Sequence, residues 1–236
     1  MSLDLARAFM DMPAPDRWPA VAAEIEAMGV KAVACPCDVG DRKAVGEAMA
    51  KASDTLGPVT LLVNNAGNAG PNATMGLSPP FWKTDPDDWD RYFRTNLDGV
   101  MNCCHAALPA MVEASRGRIV TIVSDAGRVG EARLSVYAAA KAGATGFVRS
   151  LAKETGRHGI TCNAISLSTL EPPLDADKLE VFYQHEQVKK QLSSYVLRRF
   201  GQPKDVAAMA LFLCSDAASW ITGQTYPVNG GYSFTQ

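Results

Sequence analysis

The chain alternates between apolar, β-branched runs and stretches with helical periodicity. VTLLVNNAG (59–67), GRIVTIVS (117–124) and GITCNAISL (159–167) each read as a strand. The stretches between them, DPDDWDRYFRTNLDGVMNCCHAALPAMVEAS and SVYAAAKAGATGFVRSLAKETGRHG, read as two long helices. Apolar strands about one helix apart predict a parallel sheet with helices on both faces, and VTLLVNNAG has the continuous apolar character of a strand buried on both sides. KAVACPCDV (31–39) reads as a further strand, placed at a sheet edge because Pro36 lacks a ladder donor. GQTYPVNGG (223–231) reads as a short last strand. Helices are expected at LDLARAFM, PAVAAEIEAMG, DRKAVGEAMAKASDTLG and DVAAMALFLCSDAAS. Pro109 should kink the first long helix or mark a join. Residues 68–86 read as loop, and residues 171–200 as irregular with a polar helix near 176–194.

The 236 residues, 47% of them hydrophobic, suffice to bury one substantial core, and we read 1–236 as a single domain. A formal net charge of −2 gives no basis for a nucleic-acid or anionic-membrane partner. No apolar run reaches the ~18 residues of a membrane span. MSLDLARAFM has no basic start followed by an apolar stretch, so a cytoplasmic location is expected. The six cysteines form no C-x-x-C and the three histidines are scattered, so no metal is expected; the thiols read as reduced, mostly buried small hydrophobes.

Chemistry concentrates between Ser124 and Lys141, SDAGRVGEARLSVYAAAK. Tyr137 and Lys141 stand four apart in an alanine-rich helical stretch and so share one face. A free phenol has a pKa of ~10. A neighbouring ammonium favours the phenolate, so Lys141 is expected to lower the pKa of Tyr137. Ser124 closes a strand, where its hydroxyl can polarise a carbonyl while the tyrosine exchanges a proton with the carbonyl oxygen. In a parallel sheet, ligands bind beyond the carboxyl ends of the strands. Asp38, Asn64–Gly67, Ser124 and 167–172 all follow such ends.

Taken together, Cys-Asp-Val at 37–39, Asn64-Asn65-Ala66-Gly67, Asn96 in TNLDGV, Ser124, Tyr137 with Lys141, and ITGQTYPVNGG (221–231) resemble the short-chain dehydrogenase/reductase family in order and spacing. The resemblance implies a Rossmann-like α/β fold that binds NAD or NADP, with NAD slightly favoured. It implies Tyr137 as general acid/base and Lys141 as the group that tunes it and holds the nicotinamide ribose. Ser124 would position the substrate oxygen, and Asn96 would hold a water in a proton relay. Asp38 and Val39 would contact adenine, Asn65, Ala66 and Gly67 the adenine ribose, and Leu170 the nicotinamide end. Residues 171–200 resemble the family's substrate loop, and the helices at 87–114 and 135–157 those that build its dimers and tetramers. The overall texture is similar to 3-oxoacyl-thioester reductases and cyclic-alcohol dehydrogenases.

Two stretches depart from the family. Its fold opens with a strand, a Gly-rich turn and a helix that together hold the cofactor pyrophosphate. No G-x-x-x-G-x-G precedes residue 38, and Gly29 is the first glycine. LDLARAF resembles the body of the helix after that turn, and Asp11 the acid that binds the adenosine ribose. Without the first strand, the Pro36 strand and VTLLVNNAG must either pair directly or leave a gap with exposed apolar edges. At 166–173, SLSTLEPP replaces the family's Pro-Gly and carboxamide-binding threonine with Leu167-Ser168 and Pro172. Three functions follow from these residues: an NAD(P)-dependent oxidoreductase of a small hydroxyl or keto substrate, a cofactor-free lyase or isomerase, and an assembly partner that has lost catalysis.

Overall fold

The computed structural model describes residues 17–70 and 78–234. The expected helix LDLARAFM, Asp11 and the leader reading of the first ten residues lie outside them. The chain runs α1 (Arg17–Ala27), α2 (Arg42–Leu56), β1 (Leu61–Asn64), α3 (Asp90–Phe93), a π-helical turn (Arg94–Asp98) and α4 (Gly99–Glu113). It continues through β2 (Gly117–Ser124), α5 (Ala126–Val129), α6 (Ser135–Thr155), β3 (Ile160–Leu167), α7 (Ala176–Gln184), α8 (Glu186–Leu192), α9 (Pro203–Cys214) and β4 (Thr225–Val228).

The four strands form one parallel sheet in the order β1-β2-β3-β4. Period-two alternation sends Ile119 and Val123 of β2 to one face, where they meet α4 and α6 through Cys104, Met111, Ala144 and Val148. Val120 and Ile122 face the other way and pack with Ile165 against Leu213 of α9. A third apolar cluster, Phe182, Val188, Tyr195 and Phe200, holds the α7–α8 segment together. Asp41 caps α2 by accepting from the N–H groups of Lys43 and Ala44, and Gly57, at φ 93°, stops it.

Several expectations are corrected. Residues 31–38 carry no strand ladder among the described residues. Pro36 removes one donor, and among the described residues no strand pairs with the segment. β1 is therefore an edge strand, not one buried on both faces: Leu61 and Val63 are 51% and 45% exposed. Of the two outcomes open to it, the gap is the one realised. The first long helix has no join at Pro109, which sits inside α4. It breaks earlier, at the π turn, where Asn96 Nδ2 takes the Tyr92 carbonyl at 2.9 Å. The polar helix near 176–194 is two helices, because His185 between them is extended at φ −65°, ψ 131°. Only Cys104 and Cys162 of the six free cysteines are fully buried, and burial raises their pKa values to about 12 and about 11.

Candidate active site

Ser124 is the last residue of β2, in register with Leu167 of β3, which in turn meets Val228 of β4. Its Oγ accepts a hydrogen bond from Ala126 N at 3.2 Å, and the serine lies close enough to the Tyr137 hydroxyl to pull its pKa down. Tyr137 and Lys141 lie one turn apart on α6. Gly127 holds α6 close: a Cβ there would fall 2.9 Å from Ala142 N and 3.0 Å from Lys141 Cβ, so α5 lies directly on the α6 backbone. Lys141 is 3% exposed; its Nζ donates to the Ile122 carbonyl at 2.8 Å and sits 6.0 Å from the centre of the Tyr137 ring.

Asn96 enters from the opposite side, carried by the π turn. The wider turn rotates the side chain inward, an arrangement often found at functional sites. Its Nδ2 donates to the Asn68 and Tyr92 carbonyls, and its Oδ1 accepts from Asn68 N at 3.1 Å. Gly67 lies between Asn96 and Lys141: a Cβ there would stand 3.3 Å from Asn96 Oδ1 and 3.4 Å from Lys141 Nζ. Ser124, Tyr137, Lys141, Asn96 and Gly67 are thus brought together from β2, α6, the π turn and the β1 loop.

The remaining predicted residues form a second group. Asn65 and Ala66 line a cavity of about 80 Å³ with Val39 and Cys103 beside the bare edge of β1. Asp38 pairs with Arg94 at 2.8 Å and accepts from Gly40 N, while Val39 packs on Gly99 and has its carbonyl taken by Asn102. Leu170 stands apart from both groups, packed against Gly201, with which its backbone also bridges.

The electrostatics reverse one expectation. The pKa of Tyr137 is raised, not lowered: burial pushes it up, the Ser124 hydrogen bond pulls it down, and the Glu131 carboxylate pushes it up again. Lys141 shares the same dry surroundings, which bring its own pKa down to about 8, and its ammonium is directed at a carbonyl. The phenol is consequently held in its protonated form.

A cavity of about 390 Å³ opens beside Tyr137, walled by Phe81, Trp89, Tyr92, Leu134 and Val136 and by the charged Lys83, Asp85, Asp88 and Arg91. Phe81 and Trp89 stack at 5.1 Å. A family model described as enoyl-(acyl carrier protein) reductase matches residues 7–233. The chain belongs to the short-chain dehydrogenase/reductase family. This is a family of NAD(P)-dependent oxidoreductases. The chain is 36% identical over 212 residues to the 3-oxoacyl-[acyl-carrier-protein] reductase of Staphylococcus aureus, covering 90% of this chain and 81% of that one. It is 36% identical over 197 residues to the acetoacetyl-CoA reductase of Shinella zoogloeoides, covering 84% and 77%. Among solved structures, a 3-oxoacyl-[acyl-carrier protein] reductase with bound NAD from Brucella melitensis superposes with a TM-score of 0.79 at 34% identity, covering 93% of this chain and 79% of that one.

Sequence reasoning missed Glu131 and Asp125. Glu131 bonds the Tyr232 hydroxyl at 3.3 Å and acts on Tyr137 through its charge. Asp125 is buried directly after Ser124. An acid placed immediately after the last residue of a central apolar strand was the available signal. Among the described residues no helix is long and apolar enough to cross a membrane.

Proposed function

We propose that the chain interconverts a 3-oxoacyl thioester and its 3-hydroxy form at the Ser124–Tyr137 pair, in concert with a nicotinamide dinucleotide. The observation that carries this reading is the convergence of Ser124 and Tyr137 beside an aromatic-walled cavity, with Lys141 buried one turn behind. Ser124, its Oγ already accepting from Ala126 N, donates its own proton to the substrate oxygen and orients the carbonyl. Tyr137, kept protonated by burial, transfers its proton to the same oxygen as that atom gains negative charge. Lys141, charged below about pH 8, then stabilises the phenolate left behind. Asn96 and Lys141 both approach Gly67, with Asn96 Oδ1 and Lys141 Nζ within 3.4 Å of where a Cβ would stand, so a proton can be returned to Tyr137 from the Lys141 side. The nicotinamide, when bound, supplies or accepts the hydride.

The residues fit one end of such a cofactor. Lys141 and Tyr137, with the side-chain-free backbone at Gly67, suit the nicotinamide ribose. At the other end, Asp38 and Val39 reach adenine only if Asp38 gives up part of its contact with Arg94. The aromatic and apolar cavity wall suits an acyl chain, and the S. aureus and S. zoogloeoides relatives, named for 3-oxoacyl and acetoacetyl thioesters, favour that class. The proposal takes the chain as one domain with 171–200 shaping the substrate site, acting in the cytoplasm as a dimer or tetramer packed through α4 and α6.

Calorimetric titration with NADH and with NADPH, followed by a reductase assay on acetoacetyl-CoA, tests the reading. Heat on binding and cofactor consumption are expected; no heat at millimolar cofactor overturns it. The engagement of Asp38 by Arg94 supports a second reading, proton transfer without nicotinamide. Deuterium exchange from solvent into the thioester, with no cofactor present, would favour it.

A further inference from the structure

The residue next to Ser124 is the most completely ligated carboxylate among the described residues. Asp125 is 1% exposed. Its Oδ1 accepts from Arg128 Nη1 at 2.8 Å and from Ser166 Oγ at 2.6 Å. Its Oδ2 accepts from Asn229 Nδ2 at 2.6 Å and from Ser233 Oγ at 2.8 Å. Its backbone N–H donates to the Leu167 carbonyl at 2.8 Å. A buried carboxylate is tolerated only when its lone pairs are met by donors in good geometry, and here both oxygens are.

Two of those donors belong to the tail that follows β4. Arg128 extends the same clamp, reaching Ser233 Oγ and the Phe234 carbonyl, each at 3.3 Å. The tail also holds the 168–200 segment. The Gly230 carbonyl accepts from Leu197 N at 3.0 Å, and Tyr232 lies 5.3 Å from the ring of Tyr195. The Tyr195 hydroxyl bonds Ser168 and accepts from Thr169 N. The tail is therefore a strap between the turn after Ser124 and the 168–200 segment, and Asp125 is its anchor.

We propose that Asp125 is a positioning residue for the reaction, acting through Ser124; this rests on the reading of Ser124 and Tyr137 as the reacting pair. The route is short. Ser124 Oγ accepts from the N–H of Ala126, which belongs to the Asp125–Ala126 peptide. While Asp125 is clamped, that N–H occupies the lone-pair side of the serine and its proton is free to point at Tyr137 or the substrate. With the clamp loosened, the peptide turns, the acceptor bond weakens and the hydroxyl loses its direction. A carboxylate that merely held the fold together would leave the serine alone.

The test compares Asp125→Asn with the exchange Asp125→Asn/Asn229→Asp, which restores one carboxylate–amide pair across the same 2.6 Å contact. Asp125→Asn should lower kcat about tenfold, the worth of one oriented hydrogen bond, with KM little changed. It should also raise the Tyr137 phenol pKa, read by NMR with a labelled ring, because the Ser124 bond is what lowers it. The exchange should recover most of both. Unchanged kcat and phenol titration, or a loss that only follows the folded fraction, overturns the proposal. If Asp125→Asn does not fold, Ser233→Ala removes one donor from the clamp, and a several-fold fall in kcat at constant melting temperature is expected; no fall overturns it. Tyr137→Phe separates the two layers. Turnover surviving Tyr137→Phe defeats the reacting pair itself, whereas turnover lost there but kept in Asp125→Asn defeats only the positioning role.

Discussion

β1 and β2 are neighbours in one sheet and both rich in apolar residues, yet their surroundings differ. All of β2 except Ser124 is buried, with β3 on one side, β1 on the other and helices over both faces. In β1, Leu61 and Val63, which share one face, remain about half exposed, and no strand pairs with its outer edge among the described residues. The two halves of the site follow the same division. On the β2 side, Lys141 and Asn96 are buried and donate to backbone carbonyls, with Ser124 and Tyr137 half-buried beside them. On the β1 side, Asp38 is spent on an exposed ion pair with Arg94, and Asn64 Oδ1 is buried without a partner among the described residues. A strand of apolar residues is fully buried only when both of its edges and both of its faces are occupied, and Ser124, proposed for the reaction, closes the strand where that condition holds.

The contrast is open to attack at three points. The largest effect is expected at the proton donor: Tyr137→Phe should reduce thioester reduction by roughly 10²–10⁴-fold, the usual contribution of a positioned acid, with the melting temperature unmoved. A steady-state assay beside a thermal melt checks both halves. Next comes packing. Ile165→Ala, in the core of β3, should cost about 2–5 kcal/mol by urea denaturation. Leu61→Ala, on the exposed edge, should stay within about 0.5 kcal/mol. Comparable losses would mean that the β1 edge is covered in solution. The smallest effect is pH dependence. Burial holds Lys141 at about 8, below its ordinary 10.5, so its charge is lost as pH rises through 8. Reduction should then weaken above pH 8. Through the same group stability should increase between about 8 and 10.5, where the unfolded chain binds more protons than the native one. A rate flat across that window would mean that the ammonium has no part in the reaction.

Much of the β2 side is legible in the sequence. GRIVTIVS is long, β-branched and closed by a serine, and Tyr137 and Lys141 share a helix face by spacing alone. These are local facts, carried by a few consecutive residues. Asn96 was found through its motif, but the π turn that carries it inward was not, since that register depends on the Tyr92 carbonyl being taken by a side chain. KAVACPCDV has the composition of a strand and is not one, because a strand also requires a partner. Asp125 and Glu131 escaped notice since their partners, Asn229, Ser233 and Tyr232, lie about a hundred residues away.

Periodicity and spacing were enough to establish an α/β chain with parallel strands, a serine at a strand end and a phenol–amine pair one helical turn apart. They could not establish which strand edge lies open, what clamps the turn after Ser124, or the sign of the Tyr137 shift. Those depend on desolvation and on contacts between segments far apart in the chain. Burial opposes charge on Tyr137 and Lys141 alike, and the dry space that does so exists only once β2, α6 and the π turn have come together.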